Sequence, residues 1–538
     1  MARAASSRAE MLGEIIAASH LVTLTQLPTV VSEEARHHGW PEVLMYLADL
    51  RQTMLTLMPG ENSEDLRESG EVPTEFPIDG TVPGRAFQLG EILPTSAGGG
   101  QWWVPVLDGT ERIGMMRVTT GEDGAQTKQE LRDLAGLVAL LLVTKRGTSD
   151  SYARLVRRRR MNVAAEMEWR LMPPRTSATD RALVSALMEP AYQVSGDAFD
   201  YAFTGDVVHL SVFDAMGHDT AAGLTANLAV AACRNHRRQG HTLVETANGV
   251  EKALVEQFED NRYATGVLAD LDVNTGELSW ISRGHFPPVV IRGGRSAVQL
   301  GCTPAPPMGT GLGITPGLCH DQLEPGDRLL LYTDGITEAR MPGGEEFGLD
   351  RFTDFLIRHH ADGLPVPETL RRFIAHHLEY HGGRLSDDAT VLVLEWHGPV
   401  PYAPGEVEAL VGLPARSAPA RMERPTRWGT PGRRGRGAAG KTTGKTGGAP
   451  GGGTGTTGSS TGAAKDDDSG GTADDGTGDS AGDRTDDGTG DKTSDTDTAE
   501  DTAEDTTSGP ARSTASGGAS RAGGPALHPP RRRPPIRG

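Results

Sequence analysis

Residues 194–218, VSGDAFDYAFTGDVVHLSVFDAMGH, decide the fold of this chain. Two short apolar runs flank a Thr204-Gly205-Asp206 turn, and the second run alternates apolar and polar residues as a half-buried strand does. The stretch therefore predicts a β-hairpin. Asp197 precedes the first run and Asp214 ends the second, so the two carboxylates meet at one end of a sheet. Such a pair is either part of a capped turn or a cation site.

The composition is uneven along the 538 residues, with 70 glycines and a formal net charge of −19. Most of this bias lies after about residue 400, where the chain is rich in Gly, Thr, Asp and Ser and has no apolar periodicity. We predict a disordered tail over 399–538, acting as a solubilising segment or an electrostatic tether. The net acidity argues against nonspecific nucleic-acid binding. No apolar run reaches the ~20 residues that span a bilayer.

The three cysteines, Cys233, Cys302 and Cys319, include no CxxC pair and are odd in number. This pattern predicts thiols outside any disulfide framework and a reduced, cytoplasmic location.

Residues 1–147 indicate a small α+β domain. Apolar residues recur at helical spacing over 1–30 and again over 42–58, where a strand-like segment follows at 53–58. A hairpin is predicted over 101–118 and a helix over 127–145. The stretches VPGRAFQLGEIL (82–93) and WWVPVLDGTERIGMMRV (102–118) resemble a GAF domain. That resemblance implies a sensor with a small-molecule ligand; its pocket could include Trp102 and Trp103, although core packing explains at least one of them.

Residues 148–179 indicate a helical linker, with a helix predicted over 149–173. Ser149 or Asp150 can cap it, and Pro173-Pro174 ends it. The apolar stripe is Leu155, Val156, Val163, Met167 and Leu171. A helix between two domains can pair with its copy, so a homodimer through 149–173 is possible. The Arg157–Arg160 run is either a solvated face or a surface for acidic lipid or nucleic acid.

Residues 180–398 indicate a second domain with repeated hairpins, including 264–272 with 277–282, and strands over 289–291, 327–334 and 390–396. Helices are predicted over 220–238, 243–258 and 350–379. The internal face of the first is assigned to Leu224, Leu228, Ala231 and Ala232. Repeated hairpins favour antiparallel sheets with outer helices over a doubly wound parallel sheet.

Acidic residues recur at strand ends in this domain: Asp197, Asp214, Asp334 and Asp387, with Asp388 beside the last. Each alone is an ordinary turn or cap residue. Clustered carboxylates repel one another, so four such positions together point to a bound cation. Hard oxygen ligands without a His/Cys set suit Mg²⁺ or Mn²⁺.

The motifs SGDAFD (195–200), FDAMGHD (213–219), YTDGITEAR (332–340) with EEFG (345–348), and SDDATVLVLEW (386–396) give a specific resemblance. Their order and spacing resemble the metal-dependent, PPM-type Ser/Thr protein phosphatases, in the stage II sporulation protein E-like (SpoIIE) branch. RGHFPPVVI (283–291), PPMG (306–309) and LMPP (171–174) are similar to other segments of that branch. The resemblance implies an α-β-β-α sandwich with antiparallel sheets following the GAF-like sensor.

The resemblance also implies a site with two Mn²⁺ or Mg²⁺ ions. Its metal ligands would be Asp197, Asp214, Asp334 and Asp387, assisted by the carbonyl of Ala215, with Asp388 a weaker candidate. The attacking group would be a metal-bridging water, so no Ser or Cys nucleophile is needed. His218 is either a general acid or, as we favour, a residue that supports the turn or the metal ligands.

Three residues depart from the family pattern: Ser195, Phe199 and Asp219. None of them removes a ligand. Asp219 either adds charge near the site or caps the helix that follows it.

The function implied is hydrolysis of phosphoserine or phosphothreonine on a small regulatory protein, typically an anti-sigma-factor antagonist. The linker would let the sensor act as a switch on the catalytic domain. The alternative is a catalytically silent regulatory module that binds a partner through the phosphatase fold. A parallel-sheet phosphohydrolase with an Asp nucleophile is disfavoured by the hairpin at 264–282.

Overall fold

The computed structural model describes residues 2–60, 73–95, 100–121, 124–189, 192–193, 196–340, 344–383, 385 and 387–401, with no side-chain detail for 2–8. Val194 and Ser195 lie outside the described residues. So does the predicted disordered tail from residue 402 onward.

The N-terminal domain combines helices with one antiparallel sheet. In chain order its elements are α1 (Ala2–Ser19), α2 (Leu27–His37), β1 (Glu42–Ala48), β2 (Met54–Leu57), β3 (Glu75–Pro77), α3 (Val82–Leu89), β4 (Leu93–Pro94), β5 (Gln101–Asp108), β6 (Glu111–Thr119) and α4 (Ala125–Arg146). The strand order is β3-β2-β1-β6-β5-β4. Helices α1, α2 and α4 pack on one face of the sheet, and α3 packs on the other. The predicted hairpin and the predicted C-terminal helix are both confirmed.

The helix expected from the apolar spacing in the first part of 42–58 is wrong, because Glu42–Ala48 forms β1. The strand-like segment predicted at 53–58 is confirmed as β2. Strand β1 is buried on both faces, so its sequence is continuously apolar and lacks the two-residue alternation of a half-exposed strand. Periodicity alone does not separate such a strand from a buried helix.

Trp102 and Trp103 are both buried core residues. Successive side chains of a strand point to opposite faces, so the two rings enter different cores. Trp102 donates its indole N–H to Thr120 Oγ1 at 3.1 Å. Trp103 packs edge-on against Tyr46 and Phe76, with ring centroids 5.7 and 5.2 Å away.

The linker is two helices, α5 (Asp150–Val156) and α6 (Val163–Leu171), so the prediction of one continuous helix is wrong. Ser149 caps α5, as expected. The chain is extended at Arg157, and Asn162 Oδ1 then accepts the Ala165 amide at 2.7 Å, starting a new helix. The buried face of α6 is also one residue off the predicted stripe: Ala164, Ala165 and Glu168 are buried, while Val163 is exposed.

The second domain contains two antiparallel sheets. Its elements are β7 (Thr176–Ala178), β8 (Ala182–Glu189), β9 (Asp197–Thr204), β10 (Val207–Ala215), α7 (Thr220–Arg238), α8 (Leu243–Phe258), β11 (Ala264–Asp272), β12 (Glu277–Arg283), β13 (Val289–Arg292), β14 (Ser296–Gln299), β15 (Cys319–Gln322), β16 (Arg328–Tyr332), α9 (Asp334–Thr337), α10 (Leu349–Ala361), α11 (Val366–Tyr380) and β17 (Ala389–Trp396). The strand orders are β15-β12-β11-β10-β9 and β14-β13-β16-β17-β8-β7.

The two sheets face each other, and helices cover both outer faces. Helices α7 and α8 pack on the five-stranded sheet, while α10 and α11 pack on the six-stranded sheet. This is the expected α-β-β-α sandwich, and the predicted α+β class with antiparallel sheets is confirmed.

Two helix predictions in this domain need correction. The buried face of α7 is small residues centred on Ala226 and Ala229, whereas Leu224 and Ala231 are exposed. The single helix expected over 350–379 is two helices. Gly363 is left-handed (φ 72°), and Pro365 precedes the first residue of α11, so the first helix cannot continue.

Cys302 and Cys319 form a disulfide with their Cα atoms 6.0 Å apart, and Cys233 is a buried free thiol. The prediction of three unpaired cysteines is therefore wrong. Cys302 lies in a loop, and pairing of β15 with β12 places Cys319 within its reach. The two cysteines are 17 residues apart in the sequence, and this separation alone does not show that they are close in space.

None of the helices in the described residues is both long and apolar enough to span a membrane.

Candidate metal centre

The hairpin of β9 and β10 aligns two acids across one sheet. Asp197 is the direct partner of Asp214 in the antiparallel register, as the sequence predicts. The Thr204-Gly205-Asp206 turn closes the other end, where Gly205 adopts φ 62°. Asp197 is buried, with 2% of its surface exposed, while Asp214 is partly exposed. The hairpin thus presents one buried and one accessible carboxylate at the same edge.

The second sheet brings further acids to this edge. Asp334 follows β16, and Asp387 and Asp388 precede β17, which pairs with β16. Thr333 joins the two sheets, because its hydroxyl donates to Asp197 Oδ2 at 2.6 Å and accepts the Thr390 amide at 2.9 Å. Thr333 is not among the residues predicted from the sequence. Its place directly before Asp334 in the YTDG motif was the available signal.

Asp387 and Asp388 differ in their surroundings. Asp388 is buried, and its Oδ2 accepts the Gly196 amide at 2.9 Å. Asp387 is exposed. A Cβ atom on Gly196 would lie 2.9 Å from the Gly217 carbonyl oxygen and 3.0 Å from that of Ala215. Gly196 therefore lets the backbone carrying Ala215 approach closely.

Crowding of these carboxylates perturbs their ionisation. Burial and then repulsion from Asp214 and Asp388 hold the pKa of Asp197 well above its ordinary value. Burial and then the charges of Asp334, Asp387 and Asp388 raise the pKa of Asp214 to about 7. Burial and then Asp387 raise the pKa of Asp334. The cluster thus lacks the positive charge that would stabilise its ionised form.

The residue types fit Mn²⁺ or Mg²⁺. All donors are hard oxygens, their charges repel one another, and Gly196 leaves room beside two backbone carbonyls. Within the described residues, however, no three acidic, histidine or cysteine side chains are already arranged as a shell that could hold an ion.

His285, from the RGHFPP segment, forms hydrogen bonds to both strands that lead to the site. Its Nε2 lies 2.9 Å from the Tyr332 carbonyl oxygen, and its Nδ1 lies 2.7 Å from Thr265 Oγ1. Thr265 pairs with Asp214 across the sheet, and its hydroxyl donates to His285 Nδ1. Burial lowers the pKa of His285 to about 4, so the ring is neutral. His285 thereby connects the strand ends that carry Asp214 and Asp334.

His218 and Asp219 lie on the turn after the site. His218 is exposed. Asp219 Oδ1 accepts the Ala222 amide at 2.8 Å, which confirms that it caps α7.

One acid that the sequence analysis missed belongs to the linker. Glu168 on α6 is fully buried, and neither of its carboxylate oxygens has a hydrogen-bond partner in the described structure. Burial, and secondarily the charge of Asp388, raise the pKa of Glu168 to about 9. The available signal was an acid four residues after Ala164 on a small apolar face.

The linker packs directly on the helix that follows the site. A Cβ on Gly223 of α7 would lie 2.8 Å from Ala164 Cβ and 3.1 Å from Glu168 Oε1, so α6 approaches α7 closely. Arg234 of α7 donates to the Leu171 carbonyl at 2.7 Å, at the end of α6. The end of the linker is thus bonded to the catalytic domain.

The sandwich and its edge of acids define a PPM-type phosphatase domain. Residues 204–397 match the family model described as Stage II sporulation protein E (SpoIIE). This part of the chain is therefore a SpoIIE-type phosphatase domain, in agreement with the resemblance of its motifs.

Curated relatives also match part of the chain. Protein IcfG of Synechocystis sp. (strain ATCC 27184 / PCC 6803 / Kazusa) is 24% identical over 243 residues, covering 39% of this chain and 37% of that protein. Phosphoserine phosphatase RsbU of Bacillus subtilis (strain 168) is 22% identical over 240 residues, covering 44% of this chain and 69% of RsbU. The chain thus spans little more than a third of IcfG.

Solved structures with similarity include the RsbU and RsbW domains of Rv1364c from Mycobacterium tuberculosis, at 25% identity. That match covers 41% of this chain and 61% of the other, with a TM-score of 0.36. The SiaA-PP2C domain of Pseudomonas aeruginosa is 24% identical, covering 40% of this chain and 85% of the other, with a TM-score of 0.35.

We predict that Asp214→Asn stabilises the metal-free protein at pH 8 by on the order of 1–4 kcal/mol. The unfolded chain loses the Asp214 proton near pH 4, whereas the native state keeps it until about pH 7. The free energy of unfolding therefore falls as the pH rises from about 4 to about 7. Asn carries no titrating proton, so this loss of stability is absent from the variant. Urea unfolding in EDTA between pH 4 and 8 measures it. The control is Asp206→Asn at the exposed turn of the same hairpin, and an equal effect of both variants would contradict the crowding of Asp214.

We also predict that Gly335→Ala disturbs the centre. A Cβ there would lie 1.9 Å from the Asp388 carbonyl oxygen and 2.7 Å from its carbon, so the backbone carrying Asp334 and Asp388 must separate. We expect a loss of about 1–3 kcal/mol in unfolding free energy and weaker Mn²⁺ binding by calorimetry. Gly317→Ala, with open space around its Cβ, should change neither quantity.

Proposed function

We propose that this chain is a metal-dependent protein phosphatase that hydrolyses phosphoserine or phosphothreonine on a small regulatory protein. One observation carries the proposal. Asp197, Asp214 and Asp334 gather at one edge of the sandwich, and none of them forms an ion pair with a basic side chain of the described chain. Buried acids without a countercharge are suited to a divalent cation.

In this proposal two Mn²⁺ or Mg²⁺ ions are held by the acids of the edge. The ligands are Asp197, Asp214, Ala215 through its carbonyl, Asp334, Asp387 and Asp388. Bound there, the ions supply Lewis-acid polarisation of a phosphoryl oxygen and activation of water. We keep Asp388 in the set because it is buried beside Gly196.

The chain's own contribution is to orient these ligands. The Thr333 hydroxyl donates to one oxygen of Asp197. It is a neutral donor, so it orients the carboxylate and leaves its negative charge available. Asp214 and Asp387 face solvent in part, which leaves the edge open to a phosphorylated loop of a partner protein.

The substrate class rests on relatives and on the motifs. RsbU is named a phosphoserine phosphatase. The SpoIIE-like motifs of this chain imply a substrate of the anti-sigma-factor antagonist type, phosphorylated by an opposing serine kinase. We propose a cytoplasmic location for this exchange.

Regulation is assigned to the N-terminal domain and the linker. Glu168 lies buried near Asp388, and Arg234 donates to the end of α6. Movement of the linker would therefore change the surroundings of Asp388. A cavity of about 610 Å³, with Arg112, Tyr152 and Trp169 in its wall, offers space for a small-molecule ligand. We retain the GAF-like character of the domain, and a homodimer through 149–173, as parts of this proposal.

The alternative is a catalytically silent regulatory module. Retention of every metal-type aspartate favours the enzyme. The two functions differ in turnover of a phosphorylated protein.

We predict that the full chain releases phosphate from a small protein carrying a single phosphoserine when Mn²⁺ is present. Asp334→Asn should lower kcat about a hundredfold or more while the fold is retained, because a metal ligand is lost and outer partners alone cost 10–100-fold. The assay is phosphate release, with circular dichroism to check the fold.

The control is Asp354→Asn, an exposed acid paired with Arg358 on α10, which should leave kcat unchanged. No turnover by the wild-type chain with several phosphorylated antagonist proteins would favour the silent module. Turnover retained in Asp334→Asn would refute the ligand assignment.

A further inference from the structure

We propose that helix α11 mechanically couples the N-terminal domain to the Asp334–Asp388 edge of the site, through Glu368 at its start and His377 near its end. The inference deepens the proposed phosphatase function and rests on it. The regulation proposed above acts through the linker, whereas α11 is a separate route on the opposite sheet.

The first part of the route is a buried charge cluster between the domains. Glu368 is 2% exposed and accepts from Arg112 Nη1 of β6 at 3.1 Å. The same carboxylate accepts from Arg371 Nε and Arg372 Nε at 2.9 Å each. Arg112 also donates to the Gln88 carbonyl at 3.2 Å, at the end of α3. One acid of the catalytic domain thus binds an arginine of the N-terminal domain together with two from its own helix.

A second contact runs in the opposite direction. Arg371 reaches back to Asp79 of the N-terminal domain, with Nη2–Oδ1 at 2.7 Å and Nη1–Oδ2 at 3.1 Å. Gln88 also donates to Asp79 Oδ1 at 2.7 Å. The N-terminal domain therefore supplies one cation and one anion to the cluster, and the catalytic domain supplies one anion and two cations. This reciprocal arrangement defines a single relative position of the two surfaces.

Burial makes this contact sensitive to domain movement. The side chains of Arg112, Glu368 and Arg371 are each about 95% buried or more. Buried ion pairs add little net stability, but separating the partners leaves uncompensated charge and is strongly unfavourable. A shift of the N-terminal domain therefore has to carry α11 with it or expose the Arg112–Glu368 pair to water. The cluster therefore links the position of α11 to that of the N-terminal domain.

The far end of α11 contacts the site. His377 lies nine residues after Glu368, about 13 Å along the helix axis. It is fully buried, and its Nε2 donates to the Gly335 carbonyl at 3.1 Å. Its ring stacks on Phe373 with centroids 5.3 Å apart and meets the edge of Phe347 at 4.7 Å. These contacts leave the imidazole no free rotation, so movement of α11 moves the hydrogen bond.

Gly335 connects His377 to both Asp334 and Asp388. It directly follows Asp334 in α9, and its Cα lies so close to the Asp388 backbone that a Cβ would overlap the carbonyl oxygen at 1.9 Å. Displacing the Gly335 carbonyl must therefore change the spacing of Asp334 and Asp388. This makes His377 a positioning residue, which contacts neither substrate nor metal.

The near end is tested in the full chain with Arg112→Met against a matched control, Arg117→Met. Both residues lie on β6 and bond a glutamate, but Arg117 pairs with Glu42 inside the N-terminal domain at 2.9 Å. In Arg112→Met, Glu368 keeps Arg371 and Arg372, so α11 retains its own pairs. We expect Arg112→Met to weaken Mn²⁺ binding about fivefold or more and to speed hydrogen exchange over 333–338 and 366–380. Arg117→Met should do neither.

The far end is tested with His377→Leu, which removes the donor to Gly335, and His377→Gln, which keeps an N–H. The neighbouring exposed residue supplies the control His376→Leu. We expect weaker Mn²⁺ binding and faster exchange over 333–338 in His377→Leu, with recovery in His377→Gln. If His377→Leu does not fold, the comparison of Arg112→Met with Arg117→Met decides alone.

Two results would overturn the coupling: identical exchange over 333–338 in Arg112→Met and Arg117→Met, or unchanged Mn²⁺ affinity in a folded His377→Leu. Failure of the proposed function gives a different pattern. In that case no variant and no wild-type preparation releases phosphate, while the differences in exchange and Mn²⁺ affinity between Arg112→Met and Arg117→Met persist.

Discussion

Repulsion between carboxylates at the edge of the sandwich is the constraint on which the rest of this structure depends. Asp197 and Asp214 face each other across one hairpin, and Asp334, Asp387 and Asp388 approach from the second sheet. A shift of one residue in the hairpin register would turn every side chain of a strand to the other face. The apolar core of β10 therefore sets the register, and the register in turn forces the acids together.

Comparison of two acids on the same strand shows how the chain separates structural from functional charge. Asp200, three residues after Asp197 on β9, is equally buried but accepts from Arg234 at 2.7 Å and from Arg237 at 2.9 Å. Within the part of the chain that the structure describes, Asp197 pairs with no basic side chain and accepts from the neutral Thr333 hydroxyl. The first acid is fully compensated by the protein and anchors α7. The carboxylate of Asp197 has no such positively charged partner among the described residues, which suits it to bind a cation.

The same contrast recurs where helices meet the catalytic domain. Glu368 on α11 and Glu168 on α6 are both buried glutamates. Glu368 is surrounded by arginines, and despite its burial their hydrogen bonds and charges lower its pKa. Glu168 has no partner in the described structure, and burial raises its pKa to about 9. The contact with the N-terminal domain is therefore a set of ion pairs around Glu368. The linker instead places a neutral acid, Glu168, near Asp388.

Sequence patterns were sufficient for much of this fold because they report local physics. Alternation in Val207–Ala215, the caps at Ser149 and Asp219, and the turn at Gly205 all depend on neighbours in the chain. The helices Thr220–Arg238 and Leu243–Phe258 were predicted to the residue for the same reason. Prediction failed at β1, which is buried on both faces and so loses its alternation. It also failed at the buried faces of α6 and α7, where small residues rather than leucines allow close packing.

The sequence by itself determined the class of domain and the acids that gather in it, because the motifs around Asp197, Asp214, Asp334 and Asp387 are each contiguous and read in order. Only the tertiary structure decided which neighbours those acids have. Thr333 on Asp197, Gly196 on Asp388, Glu168 from the linker and Glu368 against Arg112 are contacts between residues as many as 256 positions apart. Their charge states follow from burial and distance, which exist only once the two sheets have packed.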